Sequence, residues 1–122
     1  MNTKGHDDVR LVNGASPCEG TVEIRYKGEW GTVFQANWDL DDAAVVCRQL
    51  GCGSALSAPG RAHFGPGSGS VLLGYISCRG SESALRDCGN TEVKDWAIPH
   101  DYDAGVRCFG RSHKLSQNSS DF

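Results

Sequence analysis

The sequence predicts a small α+β domain closed by disulfides, and three observations carry that expectation. One amphipathic helix lies among segments whose apolar residues alternate with a period of two. Six cysteines are spread along the chain. A length of 122 residues with 16 Gly, 4 Pro and 8% aromatic residues offers one modest core that needs covalent support. A second folded domain is ruled out by length.

Taken in order, residues 20–26 alternate as Thr21, Glu23 and Arg25 against Val22, Ile24 and Tyr26, which predicts a half-exposed strand. Lys27-Gly28-Glu29 reads as a turn and residues 30–34 as the returning strand of a hairpin. The helix follows, with Asp39 as N-cap, Asp41 and Asp42 in the first turn where the dipole favours negative charge, and Gly51 as stop. Ala43, Val46, Cys47 and Leu50 form its buried stripe. Ala58-Pro59-Gly60 and Gly65-Pro66-Gly67-Ser68-Gly69 are turn clusters that bracket Ala62-His63-Phe64. Residues 71–76 are apolar on both faces and predict a covered strand, with Gly74 marking a bulge or a close approach. A short second helix is expected over 81–89, with Leu85 and Cys88 on one side, and a closing strand over 104–108. The polar ends, 1–8 and 110–122, are expected to be disordered tails, and no internal repeat is present.

Net charge is −3, from 12 Lys+Arg and 15 Asp+Glu scattered along the chain, so no phosphate-tracking face is built and nucleic acid is not an expected partner. No apolar run approaches the roughly 20 residues of a membrane span, and Met1 to Asp8 lacks the apolar core of a signal peptide. The reading is a soluble fragment, or a reading frame without its export signal. Cys18, Cys47, Cys52, Cys78, Cys88 and Cys108 are even in number, and spacing alone does not choose among their pairings. Structural zinc asks for tighter pairs: Cys47 and Cys52 have no matching second pair, while His6, His63, His100 and His113 are dispersed. Disulfides imply an extracellular or secretory setting, with which the glycosylation sequon at Asn118 agrees.

Several ordered motifs within residues 9–109 carry a family resemblance: Val9-Arg10-Leu11-Val12-Asn13-Gly14, Cys18-Glu19-Gly20-Thr21-Val22-Glu23-Ile24, Trp30-Gly31-Thr32-Val33, Val45-Val46-Cys47-Arg48-Gln49-Leu50-Gly51-Cys52-Gly53 and Asp103-Ala104-Gly105-Val106-Arg107-Cys108. They resemble a scavenger receptor cysteine-rich (SRCR) domain. The resemblance implies a curved sheet of about six strands cradling one main helix with a smaller helix beside it. It also implies the bridges Cys18–Cys52, Cys47–Cys108 and Cys78–Cys88, as in the eight-cysteine group B, of which this chain lacks the second–seventh pair. Phe34 and Ile98 stand at those two positions and are expected to pack together. The family's cation sites draw on acidic residues where this chain has Gln35-Ala36 and Tyr102, and on an acidic pair and an Asn where it has Gly74-Tyr75 and Ala97. No metal site and no cofactor are therefore expected. The remaining acids, Asp101 and Asp103 beside His100 and Asp39, Asp41 and Asp42, read as a solvated loop and a helix first turn.

Candidate ligand contacts are basic. Residues 22–30, with Arg25 and Lys27, match a strand and turn that the resemblance associates with bacterial-surface recognition. Arg61 sits with His63 between glycine turns, and Arg79 and Arg86 flank the short helix, all suited to polyanions. Trp30, Trp38 and Trp96 read as packing residues, with no sugar-binding aromatic row. No thiolate nucleophile survives bridging, no nucleophile elbow, H-E-x-x-H pair or P-loop occurs, and His100 reads as a hydrogen-bonded structural histidine. The chain is read as a non-enzyme. Two functions remain: an extracellular module of a scavenger or pattern-recognition receptor or secreted agglutinin, binding protein or microbial-surface ligands, polyanions included; or a spacer between neighbouring domains of a tandem array.

Overall fold

A computed structural model describes residues 8–110. Seven strands and one α-helix are connected in the order β1 (Val9–Val12), β2 (Glu19–Tyr26), β3 (Glu29–Val33), α1 (Leu40–Gln49), β4 (Ala55–Ser57), β5 (Ser70–Ser77), β6 (Gly89–Glu92) and β7 (Gly105–Cys108). Short 3-10 turns occupy Leu85–Asp87, Lys94–Trp96 and His100–Tyr102. The sheet runs β4-β7-β2-β3-β5-β6, with β1 on β2 outside that path; β3 and β5 pair in parallel and the other pairs are antiparallel. Glu23 and Ile24 pair with both β1 and β3, and Thr21 with both β1 and β7. One edge of β2 therefore carries β1 while β7 and β3 share the other, and the sheet curls around this strand.

The hairpin turn is made by Lys27 and Gly28, both at positive φ, the geometry whose twist matches the flanking strands. Helix α1 begins as expected: Asp39 accepts from the Asp42 N–H while the Asp42 carboxylate accepts from the Asp39 N–H, a reciprocal box that satisfies two orphan donors. The second Asp42 oxygen accepts from the Cys78 N–H, tying the helix start to the end of β5. Gly51 at φ 71° ends the helix. Its buried face is wider than the expected stripe, because Val45 is buried beside Ala43, Val46 and Cys47. These pack on Val22, Val33, Leu72, Ile76 and Val106 to form the core.

All six cysteines are bridged, Cys18–Cys52, Cys47–Cys108 and Cys78–Cys88, in agreement with the pairing the resemblance implies. Two expectations need correcting. The second helix shrinks to the 3-10 turn Leu85–Asp87, because the Gln49 side chain takes the Leu85 N–H and the Glu82 carboxylate caps Arg79 and Gly80 instead of serving a helix start. Strand β2 is covered on both faces along 20–24, so Glu23 is buried to 2% exposure and Thr21 to 1%. Phe34 and Ile98, expected to pack together, are each half-buried, and the ring neighbours of Phe34 are Tyr75 and Tyr102, at 5.9 and 6.3 Å, both edge-on. Gly74 fulfils both of its readings: the β5–β6 register shifts after it, and a Cβ there would lie 3.0 Å from the Phe34 Cβ. Asp8 is bonded to the sheet through its carbonyl, which accepts from the Arg25 N–H. Gly110 likewise donates its N–H to the Cys52 carbonyl, and the rest of the expected tails lies outside the described residues, as does Asn118.

Candidate functional site

Three of the five basic candidates converge. Arg25 projects from β2, Lys27 from the hairpin turn and Arg86 from the 3-10 turn that the Cys78–Cys88 bridge holds in place. They ring a groove of about 260 Å³ whose floor is apolar, built from Val9, Ile24, Leu73 and Leu85. Asp8 sits between the two arginines, 2.7 Å from Arg86 and 3.7 Å from Arg25, and Glu92 lies 2.9 Å from Lys27. Lys27 is thereby held above its ordinary pKa, chiefly by the Glu92 hydrogen bond, and Glu92 is held below its own by Tyr26 and Lys27. Three cations against two carboxylates leave a surplus of one positive charge. Exposed pairs of this kind contribute about 0–1 kcal/mol each, so an arriving anion can take over the cations at small cost. Arg61 and Arg79 stand outside this groove; both are exposed, and their backbone N–H groups donate to Gln35 and Glu82.

On the other side of β2 lies a buried polar hub. Glu23 accepts from Arg10 through Nε and Nη2 at 2.8 Å each, and from the Ser68 backbone N–H at 2.9 Å. The Arg10 guanidinium in turn stacks 4.0 Å from the centre of the Trp30 ring. Asp103, 1% exposed, accepts from the Thr32 hydroxyl at 2.8 Å and from the Gly67 N–H at 2.8 Å. His100 places Nδ1 2.9 Å from Asp103 and Nε2 2.8 Å from the Gly69 carbonyl. Both neighbours are acceptors, so the ring is satisfied when both nitrogens carry protons. Burial opposes that charge, but the Gly69 carbonyl and the Asp103 carboxylate outweigh it and raise the His100 pKa. Both ring nitrogens thus face acceptors, and Thr21, Glu23, His100 and Asp103 together hold the loop 65–69 against the sheet.

Where the resemblance places the family's cation ligands, this chain presents an amide and aromatic rings. The Gln35 side-chain oxygen accepts from the Arg61 N–H, the Tyr102 and Tyr75 rings pack on Phe34, and Asp103 is consumed by the hub. One trio of potential ligands occurs among the described residues, Cys78, Glu82 and Cys88, but its two sulfurs are bonded to each other. Sequence reasoning missed a row of rings, Tyr102, Phe34, Tyr75 and Trp96, all but the half-buried Phe34 exposed, with Tyr75 and Trp96 6.1 Å apart. Trp38 is a packing residue as expected, its indole N–H donating to the Gly105 carbonyl, and Trp30 is half-buried under Arg10. Trp96 departs from the expectation at 53% exposed, because the 3-10 turn that carries it buries none of its residues. These rings come from four separated segments, and no periodicity could have announced them.

Relatives place the fold. Mouse galectin-3-binding protein is 52% identical over 101 residues, covering 83% of this chain and 18% of that protein. A scavenger receptor cysteine-rich domain superfamily protein of Patiria pectinifera is 44% identical over 109 residues, 89% of this chain and 10% of that protein. The chain thus spans under a fifth of the length of these relatives. Among solved structures, the third SRCR domain of murine neurotrypsin superposes with a TM-score of 0.73 at 41% identity, over 82% of this chain and 94% of that one. The dimeric form of the SRCR domain of mouse MARCO gives 0.65 at 38% identity, over 74% and 85%. The model of the scavenger receptor cysteine-rich domain matches residues 12–109, and with the fold and bridges already described, the chain belongs to that family.

Proposed function

We propose that this domain is an extracellular, non-enzymatic ligand-binding module that works without calcium, holding protein or microbial-surface ligands, polyanions among them, at the groove ringed by Arg25, Lys27 and Arg86. The observation that carries the reading is the groove itself: three cations from separate elements over an apolar floor, with one positive charge unbalanced. Three bridges agree with an oxidising compartment. The name of the mouse relative records a protein ligand, galectin-3, which makes a protein a reasonable ligand class here. Calcium independence is supported by the aromatic and amide side chains at the family's cation positions.

A single weak module depends on avidity, so the test displays the oxidised chain multivalently on beads and measures capture of dextran sulfate and of killed bacteria with and without EDTA. Capture that survives EDTA and falls at least tenfold in Arg25→Ala/Lys27→Ala/Arg86→Ala is expected. Capture abolished by EDTA overturns calcium independence, and capture untouched by the triple substitution overturns the groove. Absence of any capture favours the second reading, a spacer that orients neighbouring SRCR domains in a longer chain.

A further inference from the structure

We infer that the ring row Tyr102–Phe34–Tyr75–Trp96 is a second binding surface, separate from the basic groove, and that its ligand is a basic extended segment of another protein. The rings follow one another at 6.3, 5.9 and 6.1 Å, so the row covers at most about five residues of extended chain. Tyr75, Trp96 and Tyr102 are 39%, 53% and 37% exposed, a large aromatic area to leave in water on a small domain. Their polar handles are also unused: among the described residues no partner is found for the Tyr75 and Tyr102 hydroxyls or for the Trp96 indole N–H.

The backbone is strained to present them. Tyr75 sits at φ 52° beside the β5 register shift, and Ala97, directly after Trp96, at φ 57°. Residues that carry a Cβ adopt this region rarely and under strain. Gly74 supplies the space in which Phe34 can lie under Tyr75. The strand buries Gly74 and Ile76 on either side of Tyr75 and turns the tyrosine outward.

Charge selects the ligand. An exposed carboxylate adjoins each end of the row, Asp95 next to Trp96 and Asp101 next to Tyr102. Asp101 has no ion-pair partner among the described residues, and Lys94, the cation nearest Asp95 in the chain, is engaged by Glu29 at 2.7 Å. Aromatic faces attract cations, Trp and Tyr most strongly, and a guanidinium can stack on a ring while donating to a carboxylate. The free hydroxyls and indole N–H suit the unpaired carbonyls of an extended peptide. An acidic or sulfated ligand, which the basic groove favours, is repelled here.

The test titrates the ¹⁵N-labelled oxidised 122-residue chain with a hexa-arginine peptide and, in parallel, with its uncharged hexa-citrulline analogue and with cellohexaose. Hexa-arginine is expected to shift the Trp96 indole resonance and the amides of 95–102 saturably, at least tenfold more tightly than hexa-citrulline. Trp96→Ala and Asp101→Asn, both at exposed positions, should each weaken it at least fivefold, while Arg25→Ala/Lys27→Ala/Arg86→Ala should not, which separates this surface from the groove. Shifts confined to other acidic residues, or affinity unchanged in Trp96→Ala and Asp101→Asn, would overturn the inference. So would equal binding of hexa-citrulline or tighter binding of cellohexaose, the latter marking the row as a neutral-glycan surface.

Discussion

The three bridges differ in how much of the unfolded chain they constrain, and removing them one at a time tests the account of the fold. They close sequence separations of 34 for Cys18–Cys52, 61 for Cys47–Cys108 and 10 for Cys78–Cys88. On the loop-entropy model these contribute about 3.8, 4.3 and 2.7 kcal/mol. Packing widens the gap. Cys47 is fully buried in the helix and Cys108 is buried at the end of β7, so an alanine pair there also leaves a cavity costing roughly 1–2 kcal/mol more. Cys78 is only half-buried. The helix has 10 residues, too short to persist without its tertiary partner.

Cys47→Ala/Cys108→Ala should therefore lose about 5–6 kcal/mol, close to the whole stability of a marginal domain. Cys78→Ala/Cys88→Ala should lose about 3 kcal/mol and still fold. Paired substitution avoids a free thiol that could exchange. Guanidinium unfolding followed by circular dichroism should place the two midpoints at least about 0.5 M apart, given the slopes usual for this size. A Cys78→Ala/Cys88→Ala domain destabilised as much as the Cys47→Ala/Cys108→Ala domain would refute the reasoning, because neither loop length nor burial would then be ranking the bridges.

Four further outcomes follow from the geometry. The raised pKa of His100 adds stability that is complete below the ordinary histidine value of 6.5 and lost as pH climbs through the folded value; Asp42, pushed up to about 6 by burial, acts in the same direction, its stabilisation complete below 3.8 and lost through about 6. Scanning calorimetry should show Tm falling between mildly acidic and mildly alkaline pH, with a shallower fall in His100→Gln, and a flat or rising wild-type profile would contradict this. Glu23→Ala strands Ser68 and the half-exposed Arg10 and should cost about 2–4 kcal/mol in urea unfolding, with Glu23→Gln costing less because it keeps an acceptor for the loop; equal losses would remove the charge from the explanation. Gly74→Ala should cost about 1–3 kcal/mol by meeting Phe34, and Phe34→Ala should relieve part of it in a double-mutant cycle, whereas strictly additive losses would place the clash elsewhere. Calorimetric titration with calcium into the millimolar range, where extracellular modules bind, should give no heat, and saturable heat would restore a cation site.

How much of this was legible in the sequence depended on the range of the interaction. The helix was readable almost to the residue because its signals are local: Asp39 and Asp42 cap it and Gly51 ends it. The β2–β3 hairpin was readable for the same reason. Strands β1, β4 and β6 were not read as elements, being 4, 3 and 4 residues long and, in β6, fully exposed. Period-two reasoning failed on Glu23 because the loop that covers it, at Ser68, is supplied by a segment 45 positions away. Arg25 and Lys27 could be proposed from their strand and turn, but their meeting with Arg86 over an apolar floor is a tertiary fact. The ring row was harder still, since Phe34 looked like a plug for a missing bridge and its neighbours Tyr75 and Tyr102 like lost ligands.

The distribution of cross-links explains why the two surfaces can differ so much in character. Each bridge ties the helical side of the domain: Cys47–Cys108 joins α1 to β7, Cys18–Cys52 joins the start of β2 to the helix exit, and Cys78–Cys88 pins the turn that delivers Arg86. No bridge reaches the loop 65–69 or the segment 94–103. There the hub takes over, because Glu23 and Asp103 each engage backbone donors on the loop, and His100 returns a bond to its Gly69 carbonyl. Hydrogen bonds of this kind depend on protonation, as covalent bridges do not, so the aromatic row next to His100 and Asp103 belongs to the part of the molecule whose stability varies with pH. The groove rests instead on a bridged turn and a paired hairpin. A ligand at the row should therefore bind more weakly where the hub loosens, toward alkaline pH.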